Sequence, residues 1–266
     1  MTSSPSFLPR QRLSGGFTIM ELLVVVAIIL VLAAITLPVI SSVRMRGNKA
    51  VALNNMRQLA GALLTYASQN DATLPAEDSI GTDTWGNAAN PENQKAWYNC
   101  LPRLLGGKGV GDFAADPRGY YTSDNLLFLP GATYPDNDKR LVAPLFAIAI
   151  NTKLQRKNEA GMKEPVKLSQ ITVPQRTVMF LEQGIRGEAK ASPTQPKYDG
   201  TCKGSAKSFV ARYSGQGVLT FMDGHAEAFE AKDLLTETGK IIYNGPGQPV
   251  DVIWCRTPEE DPNKSL

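Results

Sequence analysis

The sequence predicts an α+β chain: one long N-terminal helix, membrane-spanning in its first half, packed on a loop-rich antiparallel β-sheet domain. Three observations predict it. An uncharged apolar run of membrane length lies near the N-terminus, helical periodicity continues beyond it, and the remainder reads as short strands between prolines and glycines.

From Leu22 to Ile40 the chain has nineteen residues without a charge, with Thr36 as the one polar side chain. At about 1.5 Å per helical residue they span roughly 29 Å, close to the ~30 Å hydrocarbon core of a bilayer. A removed secretory signal would have a shorter apolar core and an Ala-x-Ala pattern beyond it. Here Pro38-Val-Ile-Ser-Ser-Val lies beyond it, so a retained span is expected.

Past the span, Leu53, Met56, Ala60, Leu63 and Ala67 recur at steps of three and four, with Asn54, Arg57 and Gln58 on the opposite side. The spacing predicts a helix from about Phe17 to about Gln69, ended by the Asx-rich turn before Pro75. The body from Asp71 to Leu266 holds 15 of the 18 prolines and should be rich in loops. Asn90-Pro91-Glu92 reads as a helix start, opening a helix that carries Trp97, Leu101, Leu104 and Leu105 and stops at Gly106-Gly107. Strands are expected at 126–129, 145–150, 177–181, 209–213, 218–222, 226–229, 240–243 and 250–254. The clearest hairpin has Asp223-Gly224 as a two-residue turn, between Val218–Met222 and Ala226–Phe229. A helix followed by mostly strands implies an antiparallel sheet.

The net charge is +3, from 28 basic and 25 acidic residues, too mild for a nucleic-acid surface, and no nucleic acid is expected. Arg44, Arg46, Lys49 and Arg57 face no acid nearby and read as a solvated face close to lipid head groups. His225 is the single histidine and no Gly-x-Ser-x-Gly occurs, so no serine-histidine triad is expected. The run Gly106 to Gly111 lacks P-loop spacing and reads as a loop. No enzymatic activity and no cofactor are expected. Asp223 with His225 lacks further metal ligands, and an ordinary hairpin turn is expected there. Asp136 and Asp138 are weak calcium candidates, without the twelve-residue EF-hand pattern. Cys100, Cys202 and Cys255 permit at most one disulfide, with all three pairings open. Trp85, Trp97 and Trp254 read as core, with glycan stacking as the alternative.

Glu21 stands out because it is an ionisable group at the head of the apolar segment. A carboxylate within a membrane helix costs a few kcal/mol and usually faces a partner. Cleavage after Gly16 would free a cationic amine at Phe17, and a neighbouring copy's Glu21 could neutralise it in an apolar setting.

Gly16-Phe17-Thr18-Ile19-Met20-Glu21, followed by the apolar run, resembles the class III signal of type IV pilins and type II secretion pseudopilins. The resemblance implies a pilin-like fold with a leader at 1–16, a transmembrane or filament-core helix at 17–40, its amphipathic continuation at 41–70 and a globular extracytoplasmic domain at 71–266. It further implies that a prepilin peptidase cuts between Gly16 and Phe17, that Phe17 is N-methylated, and that Glu21 guides subunit docking. Pro38 falls where many members carry a helix-kinking proline. Arg212-Tyr213-Ser214-Gly215 and Asp223-Gly224-His225 resemble the C-terminal signature of large-bodied pilin-like proteins, in which a histidine stands before Asp-Gly with nine residues between them; Tyr213 replaces that histidine. Asn54 to Leu59 and Ile171 to Pro174 echo the same family.

The implied partners are other pilin or pseudopilin subunits, the peptidase, an inner-membrane assembly platform with its motor ATPase, and membrane lipid. The implied location is the bacterial inner membrane, single-pass, with the body periplasmic or extracellular. The alternative is a single-pass anchored periplasmic binding protein or enzyme.

Overall fold

The structure, a computed structural model, describes residues 18–135, 138–157, 163–192, 194, 198–246, 248 and 250–264. The described chain divides into two compact units that meet between Arg44 and Met45. The first unit is helical from Ile19 onward. Helix α1 is assigned over Ile19–Gln69, so its last part belongs to the second unit.

In the second unit, Ala52, Met56, Leu59, Ala60, Leu63 and Ala67 of α1 are fully buried, while Asn54, Arg57 and Gln58 are exposed. The helix stops after Gln69 because Asp71 and Ala72 adopt positive φ values of 53° and 54°. The Ala72 amide then donates back to the Ala67 carbonyl at 2.9 Å, closing the last turn. Chain reversal follows, and the Leu74 amide bonds the Val166 carbonyl at 2.8 Å.

Short helices come next: α2 Trp85–Ala89, α3 Trp97–Leu104, α4 Pro117–Tyr120 and α5 Lys139–Val142. Asn90 does cap a turn, its side chain accepting from the Glu92 amide at 2.9 Å, but that turn is a separate 3-10 segment, Pro91–Asn93. The Asn99 side-chain amide donates to the carbonyls of Ala88 and Asn93, pinning these short helices together. Trp85, Trp97 and Trp254 are all buried. The indole N–H of Trp97 donates to the Cys202 carbonyl at 3.0 Å, the partner a buried tryptophan requires.

The strands are β1 Ile148–Asn151, β2 Arg156–Lys157, β3 Lys163–Glu164, β4 Val178–Glu182, β5 Lys203–Gly204, β6 Gln216–Phe221 and β7 Ala226–Glu230. Five form one sheet in the order β5-β1-β4-β6-β7, and β2 pairs with β3 separately. The pairs β1–β4, β4–β6 and β6–β7 are antiparallel, while β5 joins β1 in parallel. One face of the sheet, with Phe180, Val218 and Met222, packs with the buried residues of α1 and α3. The other face, with Val178, Leu181, Leu219 and Phe221, is covered by Phe209, Leu234, Ile241 and Trp254. Covering on both sides explains why β1 and β4 are buried at every position rather than at alternate ones.

Four expected strands are not strands. Residues 126–129 lie in a turn region, and Phe209, Tyr213, Ile241 and Ile253 contribute isolated bridges only. Phe209, Ile241 and Trp254 cap the second sheet face, while Leu127 and Leu129 pack into the cluster on the first, and burial without pairing leaves the same hydrophobic imprint as a strand.

Leu63→Ala is expected to cost about 2–5 kcal/mol, the usual range for an emptied core site. Val51→Ala, at a 41% exposed position on the same helix, should change stability by less than about 0.5 kcal/mol. Urea unfolding of the full chain in detergent micelles, followed by tryptophan fluorescence, measures both.

Candidate functional site

The first unit carries the residues that the N-terminal motif singles out. Gly16 and Phe17 lie outside the described residues. Thr18 and Glu21 are described and form a reciprocal cap: the Glu21 carboxylate accepts from the Thr18 amide and hydroxyl, each at 2.9 Å, and the Thr18 hydroxyl oxygen accepts from the Glu21 amide at 3.2 Å. This is the capping-box arrangement, which satisfies helix N–H groups that otherwise lack partners. The acid also sits at the positive end of the helix dipole. Thr-x-x-Glu before an apolar run is a readable signal for this cap, and it passed unnoticed in the sequence.

Beyond the cap, large apolar side chains from Leu22 to Ile40 are exposed, and the helix continues through Pro38. The Thr36 hydroxyl donates to the Leu32 carbonyl at 2.9 Å, so the polar group of the run is satisfied within its own helix. The helix is thus long and apolar enough to cross a membrane.

The second unit carries the residues that the C-terminal resemblance singles out, and the first of them form a turn. Tyr213 and Gln216 exchange backbone hydrogen bonds at 2.8 and 3.0 Å around Ser214 and Gly215, whose φ values are 52° and 84°. Two positive φ values mark the tight two-residue turn that was expected at Asp223-Gly224. That second turn is different. The Phe221 amide bonds the His225 carbonyl at 3.0 Å, and the Gly224 amide bonds the Phe221 carbonyl at 2.9 Å. The loop therefore has three residues, Met222 to Gly224, with positive φ at Gly224 alone (95°). Asp223 Oδ1 accepts from the His225 amide and bonds His225 Nδ1 at 2.6 Å, and the imidazole stacks on Phe221 with centroids 4.4 Å apart. His225 is an exposed turn residue bordering an open cleft of about 690 Å³, which Glu227, Phe229 and Asp251 also line.

Tyr213 itself is buried, and its hydroxyl donates to Glu182 Oε1 at 2.9 Å. Glu182, at the end of β4, is completely buried. Its other oxygen accepts from the Val218 amide at 2.8 Å, and Arg212 Nη1 reaches Oε1 at 3.2 Å. Arg212 also holds Glu188 with two bonds, 2.9 Å from Nε and 2.6 Å from Nη2, and donates to the Gln183 carbonyl. Glu188 accepts in turn from the amides of Thr133 and Ile185. One guanidinium thus serves two buried carboxylates. Glu182 and Glu188 escaped sequence reading, although an acid closing the apolar run Val178-Met-Phe-Leu was a visible signal.

Burial pushes the Glu182 carboxyl above its ordinary range, with Arg212, the Val218 amide and the Tyr213 hydroxyl pulling the other way. Burial first, then the Glu182 charge, raises the Tyr213 phenol so that it stays a donor. The stronger bidentate pairing of Arg212 goes to Glu188, which leaves Glu182 the less neutralised acid.

Of the calcium candidates, Asp136 lies outside the described residues and Asp138 is exposed just before α5. Among the described residues no group of three or more His, Cys, Asp or Glu is placed to hold a metal. Cys100, Cys202 and Cys255 are free thiols, and burial raises those of Cys100 and Cys202 to about 12 and that of Cys255 to about 11.

The chain matches no protein-family model, no curated protein and no solved structure. The geometry of its own residues carries the functional reading.

Tyr213→Phe should cost about 1–2 kcal/mol by removing one donor from a buried carboxylate. It should also move Glu182 further upward. A native pKa above the unfolded value near 4.5 means that the associated stability is complete below that value and is lost as pH rises through the native pKa. In Tyr213→Phe that loss should therefore extend to higher pH than in the wild type, as read from unfolding curves across the acid-to-neutral range.

Proposed function

We propose that this protein is a structural subunit of a type IV pilus or type II secretion-type filament, cut after Gly16, methylated at Phe17 and polymerised through α1. The observation that carries the reading is the first half of α1: an apolar surface of membrane length, exposed in its own chain, headed by a single carboxylate. Before assembly that surface is covered by lipid, with the chain anchored in the inner membrane and its body outside the cytoplasm. In the filament it is covered by the same helix of neighbouring copies.

Glu21 has two successive partners in this scheme. In the single chain its carboxylate closes the cap with Thr18. In the polymer it faces the Phe17 amine of an adjacent copy, where few competing donors exist, so pairing sets the axial register. Only one Glu21 oxygen, Oε2, is engaged by Thr18, and the other is left for that amine.

Mass spectrometry of the native N-terminus tests the processing step. A methylated Phe17 terminus supports the filament subunit, and an intact Met1 terminus favours the anchored binding protein instead.

Glu21→Gln separates charge from capping, because glutamine also serves in a capping box. The variant is expected to insert normally yet assemble into filaments at least about tenfold less, the effect of losing roughly 1.4 kcal/mol of pairing. Wild-type filament yield from Glu21→Gln would leave Glu21 as a helix cap only.

A further inference from the structure

The apolar run of α1 is followed by cations without counter-charge. After Glu21 the sequence holds no Asp or Glu until Asp71, and Arg44, Arg46, Lys49 and Arg57 all fall in that interval. The structure sorts these four into two pairs. Lys49 Nζ donates to Gln216 Oε1 at 2.7 Å and Arg57 Nη2 to the Ala226 carbonyl at 3.3 Å, so both are committed to the β6–β7 hairpin. Arg44 and Arg46 are exposed, and neither guanidinium has a hydrogen bond or ion pair among the described residues.

Their place in the chain says what lies opposite them. Arg44 stands four residues beyond Ile40, the end of the uncharged apolar run, in the same helix and the same unit. At about 1.5 Å per residue, its Cα lies about 6 Å past that end. The polar head-group layer is about 5–7 Å thick on each side of a bilayer. A span seated on Leu22 to Ile40 therefore puts Arg44 at the level of the phosphates. Arg46 follows two residues on, and stays within about 7 Å of it along the chain whatever the geometry at the junction.

A guanidinium at that level lacks a partner of opposite charge, and its planar fork matches two phosphate oxygens. Every phospholipid offers a phosphate, but a zwitterionic one carries its own cation beside it. An anionic one does not. We propose that Arg44 and Arg46 bind the phosphates of anionic phospholipids in the leaflet at the C-terminal end of the span, fixing its depth in the bilayer. The occupant is lipid rather than a protein acid because the span itself delivers these two side chains to the phosphate layer. The inference rests on the membrane span in the proposed function and is independent of polymerisation.

The full chain, reconstituted in phosphatidylcholine vesicles with a minority of phosphatidylglycerol, tests it. Spin-labelled forms of the two lipids read which one the protein immobilises. Flotation with pure phosphatidylcholine vesicles checks the span first, and a chain that does not float would sink the span and this inference together. Phosphatidylglycerol should be preferred by at least about fivefold at low salt, the effect of one basic residue at a charged surface. The preference should shrink as salt rises. Arg44→Gln combined with Arg46→Gln should cut it at least about threefold, with flotation and the unfolding midpoint of the body unchanged. Arg44→Lys combined with Arg46→Lys should keep most of it, and so should Lys49→Gln combined with Arg57→Gln. No preference in the wild type, a wild-type preference in the double Arg→Gln variant, or an equal loss from the Lys49 and Arg57 pair would each overturn it. Self-association lost in the double Arg→Gln variant while its lipid preference stays intact would assign the pair to a second copy of the chain.

Discussion

Burying the stripe Ala52, Met56, Leu59, Leu63 and Ala67 of α1 against one sheet face is the constraint on which the second unit depends. The helix occupies that face, so the other face must be covered by something else. Phe209, Leu234, Ile241 and Trp254 provide it from irregular segments. The β6–β7 hairpin is held to the same helix by polar contacts at its rim: the Arg57 guanidinium donates to the Ala226 carbonyl and Lys49 to Gln216. These bonds are part-exposed and add little energy of their own. They set which end of the hairpin meets the helix, while apolar burial supplies the stability.

The first half of α1 obeys the opposite condition. Among the described residues no large apolar side chain of its run is covered within its unit, and a helix that is hydrophobic all round needs lipid or other helices about it. Thr36 shows how the segment tolerates a hydroxyl, by bonding back to its own backbone. Glu21 has a comparable local solution in Thr18, so a carboxylate at this place is compatible with an isolated chain before any neighbour arrives. That compatibility would matter for the proposed subunit, which would rest in a membrane before it assembles. Capping lowers the cost of waiting without filling both carboxylate oxygens.

The long helix was legible because periodicity over many turns is hard to mimic, and its end was legible because Asp71 and Ala72 sit in a turn-forming stretch before Pro75. Strands β1, β4, β6 and β7 were legible from apolar runs bounded by turn residues. Segments such as 240–243 and 250–254 misled because burial against a sheet and membership of it select similar side chains. The turns exchanged types for a related reason. Asp-Gly suits both a two-residue turn and the last part of a three-residue one, and register with β7 decides between them. Tyr213 was legible as a position, through the signature, but its partners were not. Glu182, Glu188 and Arg212 are separated by up to thirty residues, and only the folded chain brings them together.

The ionic network around Tyr213 is weak evidence for stability as such, since desolvating three charges consumes most of what their attraction returns. Its effect is better read as geometric. Glu182 accepts simultaneously from β6 through the Val218 amide and, through Tyr213 and Arg212, from the segment leading into the Ser214-Gly215 turn. Arg212 then extends the link to Glu188 and, by the Thr133 amide, to the loop between α4 and α5. No apolar side chain could satisfy the three donors that meet Glu182, and a shift of β6 by one residue would strand it without the Val218 amide. A mispaired sheet would therefore bury an unpartnered carboxylate, a penalty of several kcal/mol. The register that places His225 and Asp223 at the hairpin tip is protected by that penalty, which makes the signature a device for fixing the body's fold, apart from the helix that would assemble it.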